Sequence, residues 1–374
     1  MKTLMPLFCL LAITVFMFGC SGDEGPVTEG NVSSAVLITG DNPTNQIDGG
    51  DSPPAFYTIH WAVENDWATG MERIDLRSGK GTHLFLFDID PDPQNPDAFY
   101  TPYGIAFDVD GTCYTTVNWF DGVEEHSSSR LATIDMETGA LTYIGDPYPI
   151  NFAGPEMDDC GNIYSTGFTV GDPETGGEPP FVFGDSYLYR IDKNTGEATQ
   201  IGDTGHTEWM DLDFDSQGRL WGSFSNKLYT IDTGTGASTF VTDIIGVPQV
   251  NVPGVCPQDW PWMEVMSIAF DKKNVLWATA MRGFSWCDDN DAPVMTVDVN
   301  TGVATVIGYT NQGYNHGGDI MPSKVTVCHR TGNRGYVSID VSLAALDEHL
   351  AHGDKVPGDF PNCGCPGDAP DMKQ

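Results

Sequence analysis

A phrase repeated five times constrains this chain more than anything else in it. An apolar, alternating run ends in Ile-Asp or Val-Asp, and a glycine follows four residues after the aspartate. The copies are Ile74-Asp75 with Gly79, Ile134-Asp135 with Gly139, Ile191-Asp192 with Gly196, Ile231-Asp232 with Gly236, and Val297-Asp298 with Gly302. A second phrase puts Gly or Asn three residues after an apolar-Asp pair and an aromatic three further on. It reads Phe107-Asp108, Gly111, Tyr114; Phe214-Asp215, Gly218, Trp221; Phe270-Asp271, Asn274, Trp277; and, degenerate, Met157-Asp158, Gly161, Tyr164. Such spacing is turn chemistry, because the carboxylate accepts from backbone amides and the glycine takes a positive φ. Each phrase is therefore a β-hairpin, and the two kinds alternate along the chain.

Two hairpins per unit make four antiparallel strands, which is one blade of a β-propeller. The expected fold is all-β, with about five four-stranded blades and a sixth if Ala35–Thr39 belongs to another sheet. The first unit lacks an innermost strand before Phe56-Tyr57-Thr58-Ile59. Asp319-Ile320-Met321, beyond the last unit, is the candidate to supply it and close the ring. No helical period of any length precedes residue 340, after which a small α+β appendage is expected. The repeat resembles the YVTN/NHL-like and quinoprotein-like propellers of secreted bacterial proteins over roughly residues 50–322. That resemblance implies an architecture and no particular activity.

The N-terminus reads as an export signal: Lys2, an apolar run from Leu4 to Phe18, then Gly19-Cys20 and a polar stretch. Met17-Phe18-Gly19-Cys20 resembles the lipobox of bacterial lipoproteins, which implies lipidation at Cys20. The expected organisation is a signal peptide at 1–19, a lipid-anchored flexible tether at 20–50, the propeller at 51–322, a Cys/His-rich module at 323–368 and a tail at 369–374. The chain would then be exported and held on the bacterial envelope, at the outer membrane or cell surface. With 53 acidic against 17 basic residues, nucleic acid and anionic lipid are excluded as partners, because both would be repelled. Membrane contact is expected through the anchor alone.

Inner strands line a propeller's channel, so residues aligned near their starts are candidates for a channel-mouth site. Stepping back three residues from Gly104, Asp211 and Ser267 reaches Thr101, Glu208 and Glu264. Asn151 is the counterpart in the degenerate unit, and His316 is reached if Asp319 is the fifth equivalent. Glu208, Glu264 and His316 suit a cation such as Ca²⁺, with His206 and Asp211 beside them. The competing expectation is a hydrated polar channel.

Export makes disulfides the default state of the cysteines. Cys256 and Cys287 flank the last blade's inner strands in a stretch rich in Trp260, Trp262, Trp277 and Trp286. Cys113 and Cys160 occupy nearly matching places in adjacent blades and are candidates to pair. Beyond residue 322, Cys328-His329, a glycine-rich turn, and His349-Leu350-Ala351-His352-Gly353-Asp354 before Cys363 and Cys365 resemble a small module at the C-termini of many secreted bacterial proteins. Ser342 is the expected cap of its short helix and Gly353 the expected end. Cys328, His329, His349, His352, Cys363 and Cys365 form a soft-ligand set suited to Zn²⁺ or copper. The alternative is a disulfide from Cys328 to Cys363 or Cys365, with structural histidines.

Three functions stand together at this point. One is a surface-displayed, non-catalytic propeller binding a protein, a carbohydrate or a small molecule. Another is a metal-dependent propeller hydrolase or lyase working at the channel mouth. The third is a structural envelope protein.

Overall fold

The structure is a computed structural model that describes residues 55–62, 68–87, 89, 99–120, 127–168, 170–171, 182–183, 185–207, 209–248, 264–281, 292–310, 315–332, 335–360 and 363–366. The export signal, Cys20, the tether, Ala35–Thr39, Glu208, Cys256, Cys287, Trp260, Trp262 and Trp286 lie outside these residues.

Five sheets form a five-bladed β-propeller. Blade 1 contains β1 (Ala55–Ala62), β2 (Ala68–Asp75) and β3 (Gly81–Leu86). Blade 2 contains β4 (Phe99–Phe107), β5 (Cys113–Phe120), β6 (Ser127–Ile134) and β7 (Leu141–Tyr148). In blade 3 the inner strand is split into β8 (Asn151–Phe152) and β9 (Glu156–Met157), which pair with β10 (Ile163–Phe168). A small ribbon of β11 (Val170–Gly171) and β12 (Val182–Phe183) precedes that blade's outer strands, β13 (Tyr187–Ile191) and β14 (Ala198–Asp203). Blade 4 is β15 (Asp211–Phe214), β16 (Leu220–Phe224), β17 (Lys227–Ile231) and β18 (Ser238–Asp243). Blade 5 is β19 (Glu264–Phe270), β20 (Leu276–Met281), β21 (Pro293–Val297) and β22 (Ala304–Tyr309). The inner strand of blade 1 comes from the far end of the chain: β23 (Asn315–Ile320) pairs antiparallel with β1. Both chain ends thus contribute to one sheet, as the missing strand before Phe56 predicts.

The repeated aspartates act as turn caps. Asp135 Oδ1 accepts from the Glu137 amide at 2.9 Å while its carbonyl accepts from Gly139 at 2.7 Å. The same bonds recur at Asp75, Asp192, Asp232 and Asp298. These turns, and those beginning at Asp108, Asp158, Asp215 and Asp271, all fall on one face of the ring. The strand ends that the longer connections join, after β3, β5 and β20, fall on the other, where the inner strands begin.

Packing between blades supplies the core. Trp221 and Leu228 of blade 4 pack with Val265, Ile268 and Leu276 of blade 5. Ala106, Tyr114 and Leu131 of blade 2 pack with Ile163, Tyr189 and Ile191 of blade 3. Burying each large apolar side chain contributes ~1.5–3 kcal/mol, so the blade interfaces, rather than the exposed turns, hold the ring together.

Beyond the ring, β24 (Lys324–Arg330) and β25 (Tyr336–Ser342) form a hairpin, followed by a 3₁₀ turn at Leu343–Ala345 and helix α1 (Leu346–Ala351). Ser342 ends the strand and makes no capping hydrogen bond, so the helix enters through the 3₁₀ turn instead. Val325, Val327, Val341 and Leu346 pack with Val109 from blade 2's tight turn. The module therefore lies against the face that carries the short turns.

Candidate metal centre

Strand pairing aligns the five inner strands residue by residue. Ala106, Glu156, Asp213, Ala269 and Asp319 sit opposite Tyr114, Tyr164, Trp221, Trp277 and Tyr57 of the adjoining strands. They form one level of the channel, occupied by three acids and two alanines. The carboxylates of Glu156, Asp213 and Asp319 bring ligand oxygens within 4.8 Å of one another, and all three residues are buried.

Hydrogen bonds fix the acids and join the blades. Asp319 Oδ2 accepts from the Phe107 amide of blade 2 at 2.7 Å, and Asp213 Oδ2 accepts from the Phe270 amide of blade 5. Glu156 Oε2 is buried and has no hydrogen-bond partner among the described residues. One level toward the long connections come Gly104, Gly154, Asp211, Ser267 and Gly317. A Cβ on Gly104, whose φ is +75°, would lie 2.5 Å from Gly154 Cα, and one on Gly317 would lie 2.4 Å from Gly104 Cα. Main chains of three blades thus meet at the axis and narrow the channel as no other residue permits. Asp211 fills the remaining space, its Oδ2 accepting from Ile268 at 2.9 Å and Gly318 at 3.0 Å.

Burial raises the carboxyl pKa of Glu156, Asp213 and Asp211 well above the usual range, and the neighbouring acids add to it. Asp319 is pushed up to about 6, again by burial. Three such groups do not all ionise without a cation among them. The donor set is all oxygen, which selects a hard ion. Ca²⁺–O bonds of about 2.3–2.6 Å hold ligand pairs up to ~5 Å apart, so the observed spread fits one Ca²⁺-class ion. Only chain groups would hold it from this side, and Glu156 Oε2 is the ligand left free for it.

The opposite side carries the module. Cys363 is disulfide-bonded to Cys160 in blade 3's tight turn, and Cys328 to Cys365 within the module. Lys272, in blade 5's turn, donates to the Lys324 carbonyl. The module thus touches the turns of blades 2, 3 and 5. The expected Cys113–Cys160 pairing does not occur: Cys113 is buried among Ile59, Met71 and Ile105, while Cys160 faces the module. Cys328, Cys363 and Cys365 are consumed as disulfides and are not thiolate ligands.

The mouth residues fall elsewhere. Asp319 aligns with Asp213, so the counterpart of Gly104 is Gly317, two residues earlier than expected. The equivalent of His316 is then Tyr103, and these two rings lie 4.7 Å apart between blades 1 and 2. Burial lowers the His316 pKa to about 3, which keeps it neutral. Glu264 Oε1 accepts from the Ser225 amide at 3.1 Å. Neither belongs to a ligand-distance group among the described residues. Thr101 and Asn151 are buried at the strand starts. His206 stacks on Phe224 at 4.8 Å and meets Tyr229 edge-on at 4.6 Å, in an aromatic nest of blade 4. The acidic level had its own signal in the residue just before each Phe-Asp or Met-Asp pair, which reads Ala106, Glu156, Asp213 and Ala269.

Fold and site together define a five-bladed propeller with a carboxylate-lined core. No family model and no curated protein matches the chain. Among solved structures it is similar to a provisionally assigned gluconolactonase, at 13% identity and TM-score 0.35, covering 79% of this chain and 88% of that one. It is also similar to the PQQ-bound aldose sugar dehydrogenase of Streptomyces coelicolor, at 12% identity and TM-score 0.31, covering 54% and 65%. Likeness at this level says nothing about chemistry, and the fold rests on the strand pairings above.

Proposed function

We propose that this chain is a non-catalytic binding propeller displayed on the bacterial envelope through Cys20. Its ring is locked by one Ca²⁺-class cation, and its ligand is taken on the face of the long connections. The observation that supports this reading is enclosure. The three carboxylates lie between a level of touching glycine main chains and a disulfide-tethered module, and two of them are engaged by amides of neighbouring blades. A catalytic ion needs an open position facing substrate, whereas an enclosed one serves the scaffold. Long connections gathered at one end are where propellers and other rigid scaffolds carry recognition.

The test is calorimetric titration of the chelated mature protein with Ca²⁺, alongside assays on lactone, ester and phosphoester substrates. We expect one site per chain, lost in Glu156→Gln and in Asp213→Asn, and no calcium-dependent turnover. Turnover that disappears in Glu264→Gln and His316→Asn would instead establish the hydrolase or lyase reading at the mouth.

A further inference from the structure

We infer that His329, His349 and Asp354 of the C-terminal module form a second metal site, for a borderline transition ion of the Zn²⁺ class. It is separate in position and in ligand chemistry from the carboxylate level of the channel. His329 projects from β24, His349 from α1, and Asp354 from the segment that returns to β24. Three local features bring them together. Gly353, at φ +94°, reverses the chain after α1. The Asp354 amide then donates to the His349 carbonyl at 3.1 Å. The next residue, Lys355, exchanges both backbone hydrogen bonds with Cys328, at 2.7 and 3.2 Å, and so seats Asp354 beside His329. The Cys328–Cys365 disulfide pins the same strand from the other side.

The carboxylate is the hub. Its Oδ2 lies 2.8 Å from Nδ1 of His329 and 2.8 Å from Nδ1 of His349, and its Oδ1 accepts from the Arg330 amide at 2.9 Å. The Asp354 side chain is 2% exposed, against 44% and 27% for the two imidazoles. A buried carboxylate backed by an amide is thus presented to solvent through two accessible rings, all three donor atoms lying within 4.8 Å of one another. Burial would raise the Asp354 pKa, but the Arg330 amide and the two imidazoles outweigh it and hold the group down to about 2.

Two imidazole nitrogens and one carboxylate oxygen favour zinc and its neighbours over calcium. With metal bonds of about 2.0–2.1 Å, tetrahedral neighbours stand ~3.3–3.4 Å apart. The two 2.8 Å contacts need only open by about half an ångström to admit the ion. Solvent-facing imidazoles leave room for a fourth ligand, water or a small anion. His352 is exposed and outside the group, and the cysteines are committed to disulfides, so the ligand set is narrower and harder than the Cys/His set expected from the spacing.

The experiment is titration of the full mature chain, disulfides intact, with Co²⁺ in saturating Ca²⁺, which keeps the channel carboxylates occupied. Wild type should bind one Co²⁺ with visible d–d absorption and no sulfur-to-cobalt charge-transfer band, and Zn²⁺ should displace it. His329→Ala and His349→Ala should each weaken binding at least 100-fold, while His352→Ala should leave it unchanged. Non-reducing peptide mapping of the Cys328–Cys365 cross-link and melting in chelator establish that each variant is folded. Absence of d–d absorption from folded wild type would leave a hydrogen-bonded structural trio and overturn the proposal. So would undiminished, wild-type Co²⁺ affinity in both folded histidine variants.

Discussion

Asp319 ties blade 1 to blade 2 through the Phe107 amide, and burial raises its carboxyl pKa from 3.8 to about 6. A raised acid favours the protonated form in the fold. Its stabilising effect is complete below the unfolded value near 4 and is lost as pH rises through about 6. In chelator, the melting temperature should therefore fall between pH 4.5 and 7.5, by an amount equivalent to about 2 kcal/mol for this group. Saturating Ca²⁺ should abolish the fall, and Asp319→Asn should make the fall in chelator shallower while losing the calcium response. A chelated profile that rises over the same range would contradict the assignment. Residues such as this one were only half legible in the sequence. The turn aspartates announce themselves through a fixed glycine partner, whereas Asp319 has no turn to mark its place. A two-residue error in its register therefore moved the candidate site to His316. The meeting of Gly104, Gly154 and Gly317 is a contact between three blades, and no local pattern encodes it.

At the scale of strands, the closure by β23 was readable, because an unpaired β1 requires a neighbour and Asp319-Ile320-Met321, just beyond the last repeat, was the candidate to provide it. Its strength can be tested with two truncations. Ending the chain after Thr310 removes β23 and leaves the edges of β1 and of the empty inner position open to other chains. That protein should aggregate on size-exclusion chromatography and lose its cooperative melt. Ending it after Pro322 keeps β23 and removes only the module, and should give a monodisperse ring that melts cooperatively at a lower temperature. Equal behaviour of the two would place ring closure elsewhere. The helix of the module was less readable. Ser342 has the residue type of a cap, yet β25 claims it, and α1 begins only after the 3₁₀ turn.

At the scale of the whole molecule, the Cys160–Cys363 disulfide joins the propeller to its appendage across a sequence separation of 203 residues. The sequence could not give this pairing, since connectivity among many cysteines is undetermined by spacing. Cys363→Ser should reduce stability by about 3–5 kcal/mol on loop-entropy grounds, read as a lower denaturant midpoint. The module's contact with Val109 should persist, because Leu346 and Val327 remain buried against it. An unchanged midpoint would mean the tether contributes nothing to the fold.

The pairing of Tyr57 with Asp319 also sets a timetable. A ribosome adds ~5–20 residues per second, so the first strand waits on the order of tens of seconds for the strand that completes its sheet. Through that interval the ring has no finished form to fall into, and contacts so distant along the chain are slow to form even afterwards. On the export route proposed above, a newly made copy would consequently still be open, and could be drawn lengthwise through a narrow pore before becoming a closed, disulfide-fastened body.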